Sequence, residues 1–271
     1  MKKVFLFFFV FIAIQFFVDV VVNVAWTLIS GESLQSMFAE MSGEKTLTLN
    51  SNRIIVSSAI SGILTLFVFH KKRWAVLTSD YLRSKPWDVV MWTIVAALGI
   101  MIPSAYLSDI MPELPDLSKD ILLTIINNDY GYFVICLFAP LVEEIVFRGA
   151  ILRVLLTRFS NHWASIIISA LLFAVVHMNP AQMPHAFIIG LLLGWLYYRT
   201  GSIVPGVIIH FVNNTVSYKV AKLFIHNPDI SLLEIYGGNN THVLLSVAFS
   251  FMIFIPAIYQ IWRSTSKSAN S

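Results

Sequence analysis

Residues 140–149 read PLVEEIVFRG. Two glutamates and an arginine stand in a stretch otherwise apolar enough for the interior of a bilayer. A charge at mid-membrane costs about 2.5–3.5 kcal/mol on insertion scales, so three together need a reason. In a helix, Glu144 and Arg148 lie at i and i+4, share a face and can pair. Glu143 points about 100° away and lacks that partner. Two readings follow. The set is a structural ion pair near a helix end, or one glutamate is structural and the other handles protons.

The surrounding chain supplies the membrane context. It has 271 residues, 57% hydrophobic and 12% charged, with a mean hydropathy of +0.76. Soluble domains carry about 25% charged residues. The apolar residues fall in blocks matching the roughly 20 residues a spanning helix needs. The fold class is therefore all-α, a polytopic transmembrane bundle. Short alternating segments, the mark of a β-barrel, are missing. About eight spans are expected: Val4–Ser30, Ile54–His70, Val89–Leu107, Tyr130–Phe147, Trp163–His177, Ala186–Arg199, Ile203–Tyr218 and Val243–Trp262. No repeat or linker divides residues 1–271, which read as one integral membrane domain.

The net charge of +3 is no nucleic-acid signature, because the basic residues lie in loops. They include Lys71, Lys72, Arg73, Arg83, Lys85, Arg153, Arg158, Arg199, Arg263 and Lys267. Their asymmetry puts both termini in the cytoplasm, with the plasma membrane as the expected location. The N-terminal run is too long for a cleaved signal peptide and lacks a small-residue cleavage site, so it reads as a first span. Gln15, Asp19 and Asn23 form a polar stripe along it. Cys136 is the single cysteine, so no intrachain disulfide can form.

Two further polar sets lie on spans. FAVVHMNP places Phe173 one turn before His177, at the end of a short span. HFVNNT places His210 and Asn214 on one face, with Asn213 about 100° around. Either set alone reads equally as packing or helix–helix adhesion. The linker MNPAQMPH contains two prolines and cannot be helical throughout, so its tip is expected to be submerged against protein. Together, a glutamate, two histidines and an amide on three helices can bind and deprotonate water or stabilise an oxyanion. Glutamate and histidine also suit zinc, whereas asparagine does so poorly. Depth counting leaves a tension. With Arg148 at the inner interface, Glu143 and His210 fall in the inner leaflet, and His177 comes out nearer the outer side. Convergence then requires the fifth span to tilt or start shallowly.

Zincin, nucleophile-elbow and P-loop motifs are all absent. Instead the three sets resemble the CAAX-prenyl-protease and bacteriocin-processing (CPBP, or Abi) family of intramembrane proteases. Its E-E-x-x-x-R motif corresponds to Glu143 through Arg148, its F-x-x-x-H to Phe173 and His177, and its H-x-x-x-N to His210 and Asn214. All three occur in order, within a motif-bearing core at residues 130–218. The resemblance implies an endopeptidase in which Glu143 activates water and His177, His210 and Asn214 surround it. Glu144, Arg148 and Phe173 would support them. The family is nominally one of metalloproteases. If a zinc ion is present, Glu143, His177 and His210 are the residues expected to hold it. The expected partners are the lipid bilayer and a membrane-embedded or lipidated polypeptide, in prenyl-protein maturation, peptide processing or immunity. The rival readings are a proton- or ion-coupled transporter and a non-catalytic scaffold with a protease-like fold. A transporter predicts two similar halves, which the sequence does not show.

Overall fold

The computed structural model describes residues 1–31, 33–35, 49–75, 80–83 and 86–268. Lys85 and the Lys267 side chain, used above for orientation, lie outside the described residues. Among the described residues there is no strand. The long helices are α1 (Lys2–Ser30), α2 (Ser51–Lys71) and α3 (Trp87–Ile110). The short α4 (Lys119–Ile126) precedes a continuous helical stretch, α5, at 133–156. Then come α6 (His162–Val175), α7 (Met183–Thr200), α8 (Val204–Leu223) and α9 (Asn240–Ser268).

Each expected span is found as a helix, but they divide into two kinds. Lys2–Ser30, Ser51–Lys71, Trp87–Ile110 and Asn240–Thr265 are long and apolar enough to cross a membrane by length and composition. The helices α5 to α8 are less apolar or shorter, because they carry the polar residues described below. They form the inner wall of the bundle. Core residues Phe7, Phe11, Phe69, Phe147, Ile151 and Phe173 join α1, α2, α5 and α6. A second core of Ala96, Ile100, Leu193, Leu196, Ile209 and Ala257 joins α3, α7, α8 and α9.

Small residues let these helices approach closely. A Cβ on Gly194 would lie 2.9 Å from Ile166 Cγ2, and one on Gly190 would lie 3.1 Å from Ala170 Cβ, so α7 sits directly on α6. The prolines of the connecting linker fit its geometry, with Pro184 in the first turn of α7, where its missing N–H costs nothing.

That linker is held by a strap from the α3–α4 connection. Asn179, 1% exposed, accepts from the Leu117 N–H at 3.0 Å. Its amide donates to Asp116 Oδ1 at 2.8 Å and Ser118 Oγ at 2.6 Å. Gln182 also donates to Ser118 Oγ, at 2.9 Å. The turn itself uses a left-handed Met178 (φ 47°), a conformation a side chain adopts only under external constraint.

Candidate active site

The helix bearing the two glutamates is not uniform. A regular stretch, Ala139–Glu144, lies between two wider i→i+5 stretches, Phe133–Phe138 and Ile145–Leu152. Such wide turns re-phase the faces of a helix and recur at functional sites. The helix also runs on to Leu156, beyond the expected end at Phe147. Arg148 is therefore not at a helix end, and its side chain is fully buried among its neighbours.

Glu144 and Arg148 do pair, Oε1 to Nη1 at 2.7 Å, with both side chains 0% exposed. Arg148 Nη2 donates to the Gly190 carbonyl at 3.1 Å, and the guanidinium lies 4.4 Å over the Phe173 ring. Gly206 of α8 packs against the same carboxylate: a Cβ there would lie 2.6 Å from Glu144 Oε2.

His210 lies between the two glutamates. Its Nδ1 is 3.3 Å from Glu144 Oε1 and its Nε2 is 3.6 Å from Glu143 Oε2. A carboxylate bound to arginine can only accept, so Nδ1 is the donating nitrogen and Nε2 faces Glu143. Glu143 Oε2 has no hydrogen-bond partner within the protein, and its side chain keeps 22% exposure.

Phe173 holds the histidines. His210 meets its ring edge-on at 5.6 Å and His177 at 5.0 Å. His177 Nδ1–H donates to the Phe173 carbonyl at 2.8 Å, which leaves Nε2 as the free nitrogen. Helix α6 has only 14 residues, about 21 Å at 1.5 Å per residue. It therefore stops within the bundle and delivers His177 there.

Asn214, one turn after His210 on α8, is not among the residues lining the cavity that Glu143 and His177 share. Its amide donates to the Ile135 carbonyl at 3.0 Å, in the first wide stretch of α5. Its Oδ1 accepts from Asn213 Nδ2 at 3.2 Å. His185 of α7 lies in the neighbourhood of Asn213, His177 and His210. The His185 Nδ1 and Ser104 Oγ form a short hydrogen bond. Ser104 (α3) and His185 (α7) thus form one polar pair, and Asn213, Asn214 (α8) and Ile135 (α5) form a second polar group. The motifs did not include Ser104 or His185. The available signal for His185 was an ionisable residue in a linker already expected to be submerged.

Glu143 and His177 open onto one cavity of about 260 Å³, walled also by Phe11, Gln15, Ser58 and Phe138. It has room for several waters at about 30 Å³ each. As a metal site the donors do not fit. His210 spends Nδ1 on the Glu144 carboxylate. Among the described residues, no three His, Cys, Asp or Glu side chains gather as a chelate.

Comparison with known proteins places this arrangement. Residues 128–216 match the family described as type II CAAX prenyl endopeptidase Rce1-like. The resemblance read from the three motifs is borne out over that segment. An "Uncharacterized 24.3 kDa protein" of Escherichia coli is 30% identical over 101 residues, covering 36% of this chain and 43% of that relative. The chain thus spans less than half the length of the curated relative it matches. No solved structure matches.

Proposed function

We propose that this membrane protein is an endopeptidase that hydrolyses peptide bonds of membrane-embedded or lipidated polypeptides, using water activated by Glu143. The observation that carries the reading is the shared cavity. Glu143 and His177, the latter with Nε2 left free by its Nδ1 hydrogen bond, face one cavity with room for several waters. Glu144 does different work, since Arg148 neutralises it and it orients His210.

The reaction follows from these roles. Glu143 takes a proton from water as the oxygen attacks the scissile carbonyl. His177 Nε2 accepts the water's other hydrogen bond and fixes its direction. The Asn214 amide, steadied by Ile135, donates to the developing oxyanion. The proton on Glu143 is shared with His210 Nε2. It then passes to the leaving nitrogen as the C–N bond breaks, so the base becomes the acid. Because the donor set is not a chelate, no step here runs through a metal ion.

The test uses purified protein in proteoliposomes with a prenylated CAAX peptide and a mixed pool of membrane peptides. Glu143→Gln should lower turnover by about 10²–10⁴-fold, the range of general acid–base catalysis. Wild-type cleavage should survive a chelator. Loss with chelator and rescue by zinc would replace this mechanism with a metal-dependent one. Unchanged cleavage by Glu143→Gln would remove Glu143 from the chemistry.

A further inference from the structure

The polar stripe on α1, Gln15, Asp19 and Asn23, lies outside the segment that matches the family model. Two of its members have partners. Asp19 Oδ1 accepts from Ser57 Oγ at 3.1 Å, and Asn23 Nδ2 donates to the Asp19 carbonyl at 2.8 Å. The Gln15 side chain makes no hydrogen bond to the described residues. It lines the cavity that Glu143 and His177 share. Phe11, one turn earlier, lines the same cavity and anchors the helix there. It is 5% exposed and meets the Phe147 ring of α5 edge-on at 5.8 Å. A helix packed into the core thus presents the carboxamide to the cavity.

Among the described residues, the polar side chains lining the cavity are Gln15, Ser58, Glu143 and His177. The two motif residues face it as acceptors. Glu143 is a carboxylate, and His177 offers the lone pair of Nε2, since its Nδ1–H is spent on the Phe173 carbonyl. One water between them satisfies both with its two hydrogens. A polypeptide brings further demands. An extended segment reaching Glu143 carries backbone N–H and C=O groups that lipid cannot satisfy. Its carbonyls need donors, which Glu143 and His177 are not. Ser58 has a single hydroxyl. Of the four, Gln15 alone carries an N–H donor and a carbonyl acceptor on one planar group, the same pair that an extended residue presents along one edge.

We propose that Gln15 is a substrate-binding residue that clamps the backbone of an extended polypeptide. Its Nε2–H donates to the carbonyl, and its Oε1 accepts from the N–H, of one residue beside the scissile bond. The proposal rests on the endopeptidase reading and adds a requirement on the substrate. Recognition at this point reads backbone rather than side chain. A helical segment has already spent those groups internally, so only an unwound stretch can be clamped.

The experiment measures binding without turnover, in the Glu143→Gln protein in nanodiscs. A fluorescent prenylated CAAX peptide carries a single backbone ester in place of an amide, at successive positions. Each ester deletes one N–H. At one position beside the scissile bond the ester should weaken binding about fivefold, the loss of one hydrogen bond. Adding Gln15→Met, which keeps the length of the side chain and removes both polar atoms, should weaken the all-amide peptide at least as much. It should also erase the ester penalty at that position. Ser58→Ala should keep that penalty. A penalty that survives Gln15→Met or vanishes with Ser58→Ala, no penalty at any position, or no binding of the all-amide peptide overturns the proposal. Cleavage of the all-amide peptide by protein with Glu143 intact is followed in parallel. Absence of cleavage counts against the endopeptidase reading. Cleavage together with an ester scan that Gln15→Met leaves unchanged counts against Gln15 alone.

Discussion

At the residue scale, Arg148 is the most committed side chain in the site, because it contacts α5, α6 and α7 at once. Removing it leaves Glu144 charged, buried and alone. Arg148→Ala should destabilise the protein by about 3–5 kcal/mol, the cost of breaking a buried pair. Thermal unfolding in detergent checks this, and Glu144→Gln combined with Arg148→Met should recover much of the loss. Gly206→Ala tests the same carboxylate from the other side. Its Cβ would press on Glu144 Oε2, and overpacking of this kind costs about 1–3 kcal/mol. The folded variant should lose cleavage, because Glu144 can no longer hold His210. The Glu144–Arg148 pair was legible in the sequence, since helical spacing alone brings the two together. Ser104 and His185 were not. They lie 81 positions apart, and spacing rules describe only neighbours on one helix.

At the element scale, the helices were legible but their phase was not. The hydrophobic blocks locate every long helix. They do not reveal that α5 widens on both sides of Ala139–Glu144, because such turns arise from tertiary packing rather than local preference. For the same reason the end of α5 was misplaced at Phe147. The linker between α6 and α7 was legible as irregular, through its prolines, whereas the strap that covers it was not. Asn179 ties the two. Asn179→Ala leaves the Leu117 N–H without its acceptor and should cost about 1–3 kcal/mol. Hydrogen exchange should then quicken at 115–118 and around His177, with cleavage falling in step. His185→Leu tests the Ser104–His185 pair and its nearness to Asn213. It should lower turnover more than substrate binding, since it reaches the chemistry through Asn213 and Asn214. His185→Gln should rescue part of the loss.

At the scale of the whole molecule, composition was enough for the class of fold and the three motifs for the family resemblance. The convergence of Glu143, His177 and His210 needed coordinates. It depends on one short helix, α6, ending inside the bundle, and on α7 serving two cores at once. An even number of crossings would return both chain ends to one side of the membrane. A reporter fused after residue 268 should therefore read as cytoplasmic, as the basic loops imply, and a periplasmic or external signal would overturn that topology.

The buried pair has one more consequence. A newly made α5, before α6 and α7 dock, presents Glu143, Glu144 and Arg148 to lipid with Gly190 and Phe173 still absent. Glu144 and Arg148 can pair within α5 itself, but the pair is covered only once the neighbours arrive. An incompletely assembled copy thus displays the kind of exposed intramembrane charge that membrane surveillance can detect. The groups that would betray an unassembled copy are the ones the finished bundle conceals.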